Sequence, residues 1–265
     1  MLPWQTLDTV KTPAGALELR KRGETDFLIL IGGRVLMTSA AHRSEDALSE
    51  LACAEIVGTV KPRVLLGGLG MGFSLRAALD HLPGDATVDV VELNESVVKW
   101  CKGPLAEITG NAIKDRRVNI TIGNVAHTIA RAPAGYYQAI IIDLYEGPHD
   151  AVNGLRDPLY GTTAIALAWN ALKPKGVFAV WSEEQDVPFE NRMGVGGFDL
   201  KRVRSGKGGR IHSVYLGSRL LRPPRAPYNP DDAGKGKDAR DGKRPPAKSA
   251  RPAKGGSGPK GRPRR

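Results

Sequence analysis

VLLGGLGMGFSLR, residues Val64 to Arg76, carries an apolar run into a helical pattern through a glycine-rich turn. Gly68, Gly70 and Gly72 fall in that turn with the spacing G-x-G-x-G. Lacking Cβ atoms, they let backbone approach a bulky ligand and take angles that other residues avoid. Dinucleotides, phosphates and S-adenosyl compounds are all held by turns of this kind. A P-loop fits poorly, because Phe73-Ser74 follows where Gly-Lys-Ser or Gly-Lys-Thr is required.

Downstream of the turn, short apolar runs alternate with helical patterns. The runs are Val64–Leu66, Val88–Leu93, Val118–Ile122, Ala139–Ile142 and Val177–Trp181, and between them come SLRAALDHL, ESVVKWCKGPLAEI, VAHTIARA and TTAIALAWNAL. This rhythm is how a buried parallel sheet with crossover helices reads in sequence, and it predicts a doubly wound, Rossmann-like α/β domain. DLKRVRSG and RIHSVYLGSR flank Gly208-Gly209 and predict an antiparallel hairpin closing one sheet edge.

Upstream, Leu17 to Arg20 alternates, and FLILI and RVLMT flank Gly32-Gly33, the pattern of a β-hairpin within a small N-terminal sheet. Ser44 before EDALSELACAEIV predicts a helix capped by Ser44, with an apolar stripe of Leu48, Leu51, Ala52 and Ile56. The expected organisation is a β piece over residues 1–43, a nucleotide-type domain over 44–221 and a tail over 222–265.

The net charge of +11 belongs to that tail, which holds 14 Lys or Arg against 4 Asp. Residues 1–221 balance 25 basic against 24 acidic side chains. The tail's Pro, Gly, Lys, Arg and Ala bury too little apolar surface to offset ordering entropy, so it is expected to be disordered. Such a tail either attaches nonspecifically to nucleic acid or another polyanion, or serves only as a solubilising extension. No apolar run reaches the length of a membrane span and the N-terminus lacks a signal-peptide pattern, so a cytoplasmic protein that avoids membranes is expected. Cys53 and Cys101 sit among apolar neighbours without metal-ligand spacing, and no metal is expected.

The second strand ends in VVEL. Glu92 thus lies about twenty residues beyond the glycines, where a carboxylate accepts hydrogen bonds from ribose hydroxyls. The bland alternative is a solvated strand-end acid. Gly123-Asn124 ends the third strand, where the amide either reaches an adenine edge or makes a simple turn. Asp143 follows AIII at a strand's carboxyl end, where an acid has little packing reason to be. Dinucleotide oxidoreductases share much of this layout.

The wider pattern resembles the S-adenosylmethionine-dependent methyltransferase fold and, within it, the spermidine synthase (polyamine aminopropyltransferase) family. The likeness runs from about Phe27 to Arg219. It includes the N-terminal β piece, the helix carrying Glu50, the glycine turn followed by Leu75-Arg76, VVELNESVV, YYQAIIIDLYEGP and the LKPKG before the fifth strand. The resemblance implies decarboxylated S-adenosylmethionine or S-adenosylmethionine as co-substrate, an amine as acceptor, and compatibility with a homodimer.

It also implies roles for particular residues. Asp143 matches the first Asp of the family's Asp-x-x-Asp segment, the base, and Glu146 stands where the second Asp is expected. Glu50 matches the end of a Tyr-His-Glu element; with Tyr145 and Glu183 it would bind the amine. Each acid has a plainer reading as well: Glu50 as a solvated helix residue, Glu146 as a turn residue, Glu183 as a loop charge. The chain departs from the family pattern at Met71, which replaces the Asp of GGGDGG, at Leu48-Ser49, which replaces Tyr-His, and at Asn124, which replaces an Asp. Three readings follow: an aminopropyl transferase acting on putrescine or another amine, a methyltransferase using intact S-adenosylmethionine, and a non-catalytic member of the family.

Overall fold

The computed structural model describes residues 2–145, 147–150, 154–205 and 211–221, within the first of the two units into which the chain divides, Met1–Arg225. Glu146, the Gly208-Gly209 turn and the 222–265 tail lie outside the described residues. Four antiparallel strands come first, paired in chain order: β1 (Gln5–Thr12), β2 (Gly15–Arg22), β3 (Asp26–Ile31) and β4 (Arg34–Thr38). Gly32 and Gly33 turn β3 into β4 with φ of 54° and 83°. Two positive φ values in a row are what a tight hairpin matched to strand twist requires. Leu17, Leu19, Phe27 and Ile29 line the sheet's buried face and share one apolar core with Val64 and Leu66 of the larger sheet.

Helix α1 (Arg43–Ala54) links the two sheets, and here the expected start is corrected. The N-cap is His42, not Ser44, and no side chain caps the helix by a hydrogen bond to its backbone. Ser44 lies inside the first turn, where its hydroxyl donates to Glu45 Oε2 at 2.6 Å. Leu48 and Ala52 are buried as the stripe predicts, while Ile56 is buried just beyond the helix end.

The larger sheet is built from β5 (Arg63–Gly67), α2 (Phe73–His81), β6 (Thr87–Glu92), α3 (Glu95–Lys102), β7 (Val118–Ile122), α4 (Val125–Arg131), β8 (Tyr137–Ile142), α5 (Thr162–Ala171), β9 (Leu172–Ser182), α6 (Val187–Val195), β10 (Phe198–Ser205) and β11 (His212–Arg219). Its order is β10-β11-β9-β8-β5-β6-β7. β5 to β9 run parallel; β10 and β11 are antiparallel and form the expected edge. All six residues of β8 are buried, as a central strand covered on both faces demands. Residues of α1, α2 and α3 pack on one face, and residues of α4, α5 and α6 on the other.

Two features depart from the sequence pattern. β9 begins directly after α5 and takes in Lys173–Gly176, with a register shift opposite Tyr137 and Ala139. α6, absent from the predicted helices, starts on Asp186, whose Oδ1 accepts from Phe189 N at 2.8 Å, with Pro188 in its first turn. Among the described residues no helix is long and apolar enough to cross a membrane.

The chain moves outward from β5 to β6 and β7, then crosses back to β8 and β9. Strand order therefore reverses at β5 and β8, and the crevice beyond their carboxyl ends is where such sheets bind ligands.

Candidate active site

The glycine turn occupies that crevice. Gly68, Gly70 and Gly72 have φ of 91°, 51° and 91°, a region that favours glycine. Space is equally restrictive. A Cβ on Gly68 would sit 2.1 Å from the Asp143 carbonyl oxygen, and one on Gly70 would sit 2.8 Å from Met37 Sδ of β4. The N-terminal sheet thus reaches the turn through Met37. Asp143 N donates to Gly67 O at 2.9 Å and ties the end of β8 to the end of β5.

Glu92, at the end of β6, holds the turn from the other side. Its Oε2 accepts from Leu69 N at 2.9 Å and its Oε1 from Asn94 N at 2.8 Å. Burial raises its pKa, while the backbone hydrogen bonds, from Asn94 first, pull it down. The backbone N–H groups of Leu93 and Gly70 bear on it as well, so the carboxylate braces the turn from the β6 side. Next to it Leu93 is 73% exposed, and across the β6–β7 pairing Ile122 is 47% exposed. Asn124 caps α4, its Oδ1 accepting from Ala126 N at 2.8 Å, so Nδ2 alone remains for an adenine edge.

Asp143 follows β8 on the face that also carries Ile141, α1 and α2. The Ser74 hydroxyl of α2 donates to its Oδ2 in a short hydrogen bond. Its pKa is raised to about 7: burial contributes most, the charge of Glu45 next, the Ser74 bond lowers it, and Asp46 raises it. Asp46 pairs with His42 Nδ1 at 2.7 Å, and the His42 ring stacks on Phe73 at 3.9 Å and 8°. Burial raises the pKa of Asp46, against the lowering effect of His42.

The acids of α1 that act on Asp143 are therefore Glu45 and Asp46, whereas Glu50 is exposed. At about 100° per residue Glu50 falls one turn beyond Asp46 on the same side of the helix, and its charge raises the pKa of Asp46. Glu50 is exposed and acts on Asp46, not on Asp143 itself. The SEDALSE segment advertised acids, but only the helix boundary decides which of them turns inward.

Beyond β8, Tyr145 is 39% exposed with the Arg34 guanidinium 5.9 Å from its ring centroid. Gly147 packs so closely that a Cβ would lie 3.0 Å from both His149 Nδ1 and Ser182 Oγ. Those two atoms lie 3.2 Å apart, and Ser182 Oγ also donates to Glu184 O at 2.7 Å. These bonds join the segment after β8 to the end of β9 and set Glu183, half-buried, at the same mouth. Met71, standing for the family's Asp, is fully buried. Burial also holds the thiols of Cys53 and Cys101 at about 12, protonated and unreactive. Among the described residues no cluster of His, Cys, Asp or Glu is arranged for a metal ion.

Residues 49–192 match the sequence model of the Spermine/spermidine synthase domain. A polyamine aminopropyltransferase of Prochlorococcus marinus (strain MIT 9515) is 31% identical over 182 residues, 65% of this chain and 62% of the relative. Putrescine N-methyltransferase 4 of Nicotiana tabacum is 31% identical over 121 residues, 46% of this chain and 30% of the relative. The chain thus spans less than two thirds of the length of these relatives. The spermidine synthase structure from Thermotoga maritima shares the fold with a TM-score of 0.67 and 17% identity, over 82% of this chain and 74% of that one. A spermidine synthase solved with the transition-state analogue AdoDATO aligns with a TM-score of 0.65 and 16% identity, over 82% and 73% of the two chains.

Proposed function

The chain belongs to the spermine/spermidine synthase domain family, and from that premise we propose that it transfers an aminopropyl group from decarboxylated S-adenosylmethionine to an amine. The observation that carries this reading is Asp143: a half-buried acid at the switch point, with its pKa pushed up to about 7. An acceptor amine is protonated near neutral pH and cannot attack until that proton leaves. A base whose pKa approaches the working pH takes such a proton more readily than an ordinary carboxylate near 3.8. Ser74 holds one oxygen of Asp143 in place, leaving the other for the amine.

The glycine turn and Glu92 would hold the adenosine part of the donor. When bound, the donor supplies an electrophilic methylene on a sulfonium. The acceptor nitrogen's lone pair forms the new C–N bond, the C–S bond breaks, its electrons return to sulfur as neutral methylthioadenosine, and the amine's proton passes to Asp143.

A second reading is favoured by Met71. With a buried thioether where the family has a carboxylate, nothing at that position repels the carboxylate of intact S-adenosylmethionine, and methyl transfer to the same amine needs the same base. The two readings separate in one experiment: the full chain is supplied with each donor and an amine, and products are weighed by mass spectrometry. An aminopropylated amine with methylthioadenosine supports the first, and a methylated amine with S-adenosylhomocysteine supports the second. Neither product from any of a panel of primary amines leaves the non-catalytic reading in place of both.

A further inference from the structure

The acceptor side of the site carries two ring nitrogens that no described residue satisfies. Ile142 of β8 pairs with Val180 of β9, so Asp143 and Trp181 stand level on neighbouring strands. Val214 of β11 pairs with Trp181, and His212 stands two residues further toward the crevice on the same face. The indole and imidazole rings are 5.0 Å apart at 34°. Trp181 Nε1 and His212 Nδ1 are both buried, and neither has a hydrogen-bond partner among the described residues. Buried polar groups are almost always paired, so two adjacent exceptions, one strand from the base, call for a ligand that pairs them.

The chemistry of the two atoms narrows that ligand. An indole N–H only donates, while imidazole Nδ1 donates or accepts according to its tautomer. A second ammonium, as in a diamine, brings donors alone and leaves the indole N–H unpaired; attraction to the ring face is open on one side only, because His212 covers the other. A carboxylate would enter beside Asp143, Glu45 and Asp46, whose charges repel it. A hydroxyl accepts from Trp181 Nε1 and donates to His212 Nδ1 at once.

We propose that Trp181 and His212 form the far end of the acceptor site and that the acceptor is a primary amine carrying a hydroxyl group, an amino alcohol in place of a diamine. This rests on the reading of Asp143 as the base of a transfer to an amine. The full chain is assayed with 4-amino-1-butanol, 1,4-diaminobutane and butylamine as acceptors and with each donor, and the binding of the three amines is measured by calorimetry with methylthioadenosine present. The amino alcohol is expected to exceed butylamine by about tenfold in both affinity and kcat/KM, with the diamine below the amino alcohol.

Trp181→Phe keeps an aromatic ring and removes the N–H, and His212→Gln gives an independent second variant. In each, the advantage of the amino alcohol over butylamine is expected to shrink to about twofold or less. Equal binding of the three amines, a preference for the diamine, or both variants keeping the full advantage overturns the subsite. Hydroxyl-selective binding with no transfer from either donor upholds the subsite and overturns the transferase reading. Transfer without hydroxyl selectivity does the reverse.

Discussion

Replacing Asp143 with Asn separates what the carboxylate does for chemistry from what it does to folding. Its pKa lies at about 7 in the folded protein against 3.8 ordinarily. Between those values the folded state binds the proton more tightly than the unfolded state, so stability falls as pH rises through that window and stays low above it. The difference of roughly three units, at about 1.4 kcal/mol each, sets a ceiling of about 4 kcal/mol on the loss. Asn has nearly the same shape, still accepts from Ser74 and never ionises. The Asp143→Asn variant should therefore pull ahead of the wild type in stability by about 2–3 kcal/mol between about pH 5 and pH 8, while losing roughly a hundredfold or more in transfer rate. Urea unfolding followed by circular dichroism at several pH values measures the first, and product formation the second. A stability difference that does not change with pH, or a variant less stable than the wild type at pH 8, refutes the placement of an uncompensated acid in the crevice.

Three further substitutions probe the surroundings of that acid. Ser74→Ala removes a bond that favours the ionised form, so the acid limb of the pH–rate profile should move upward from about 7; a limb that stays in place shows that Ser74 does not hold the base. Glu45→Gln removes a raising charge and should move the same limb downward, whereas Glu50→Gln, which acts on Asp46 and not directly on Asp143, should move it less; equal effects of the two would contradict the placement of Glu45 beside Asp143. Gly68→Ala places a Cβ 2.1 Å from Asp143 O at a φ of 91°, and thermal unfolding should show a loss of about 3 kcal/mol or more. Wild-type stability in that variant would mean that β5 and β8 are less tightly joined than the structure has them.

How much of this was legible in the sequence depended on what each residue answers to. The α/β rhythm was plain because β5, β8 and β9 are buried on both faces and read as unbroken apolar runs. Asp143 stood out because an acid closing such a run satisfies no packing need. β1 escaped notice because the first five of its eight residues are exposed and no apolar alternation marks it. Glu50 drew attention in place of Glu45 and Asp46 because helix phase depends on where the helix begins, and the His42 start rests on the pairing of His42 with Asp46 and its stacking on Phe73. The unpaired nitrogens of Trp181 and His212 depend on pairings between strands far apart in the chain, which no local pattern encodes.

The most direct test of the account follows the acceptor's proton and the donor's sulfur together. Single-turnover transfer from labelled decarboxylated S-adenosylmethionine is measured across pH for the wild type and the Asp143→Asn variant. The account predicts one methylthioadenosine released per alkylated amine, a rate that rises tenfold per pH unit and levels near pH 7, and loss of that rise in the variant. Transfer by the variant at the wild-type rate, with the same dependence on pH, contradicts it.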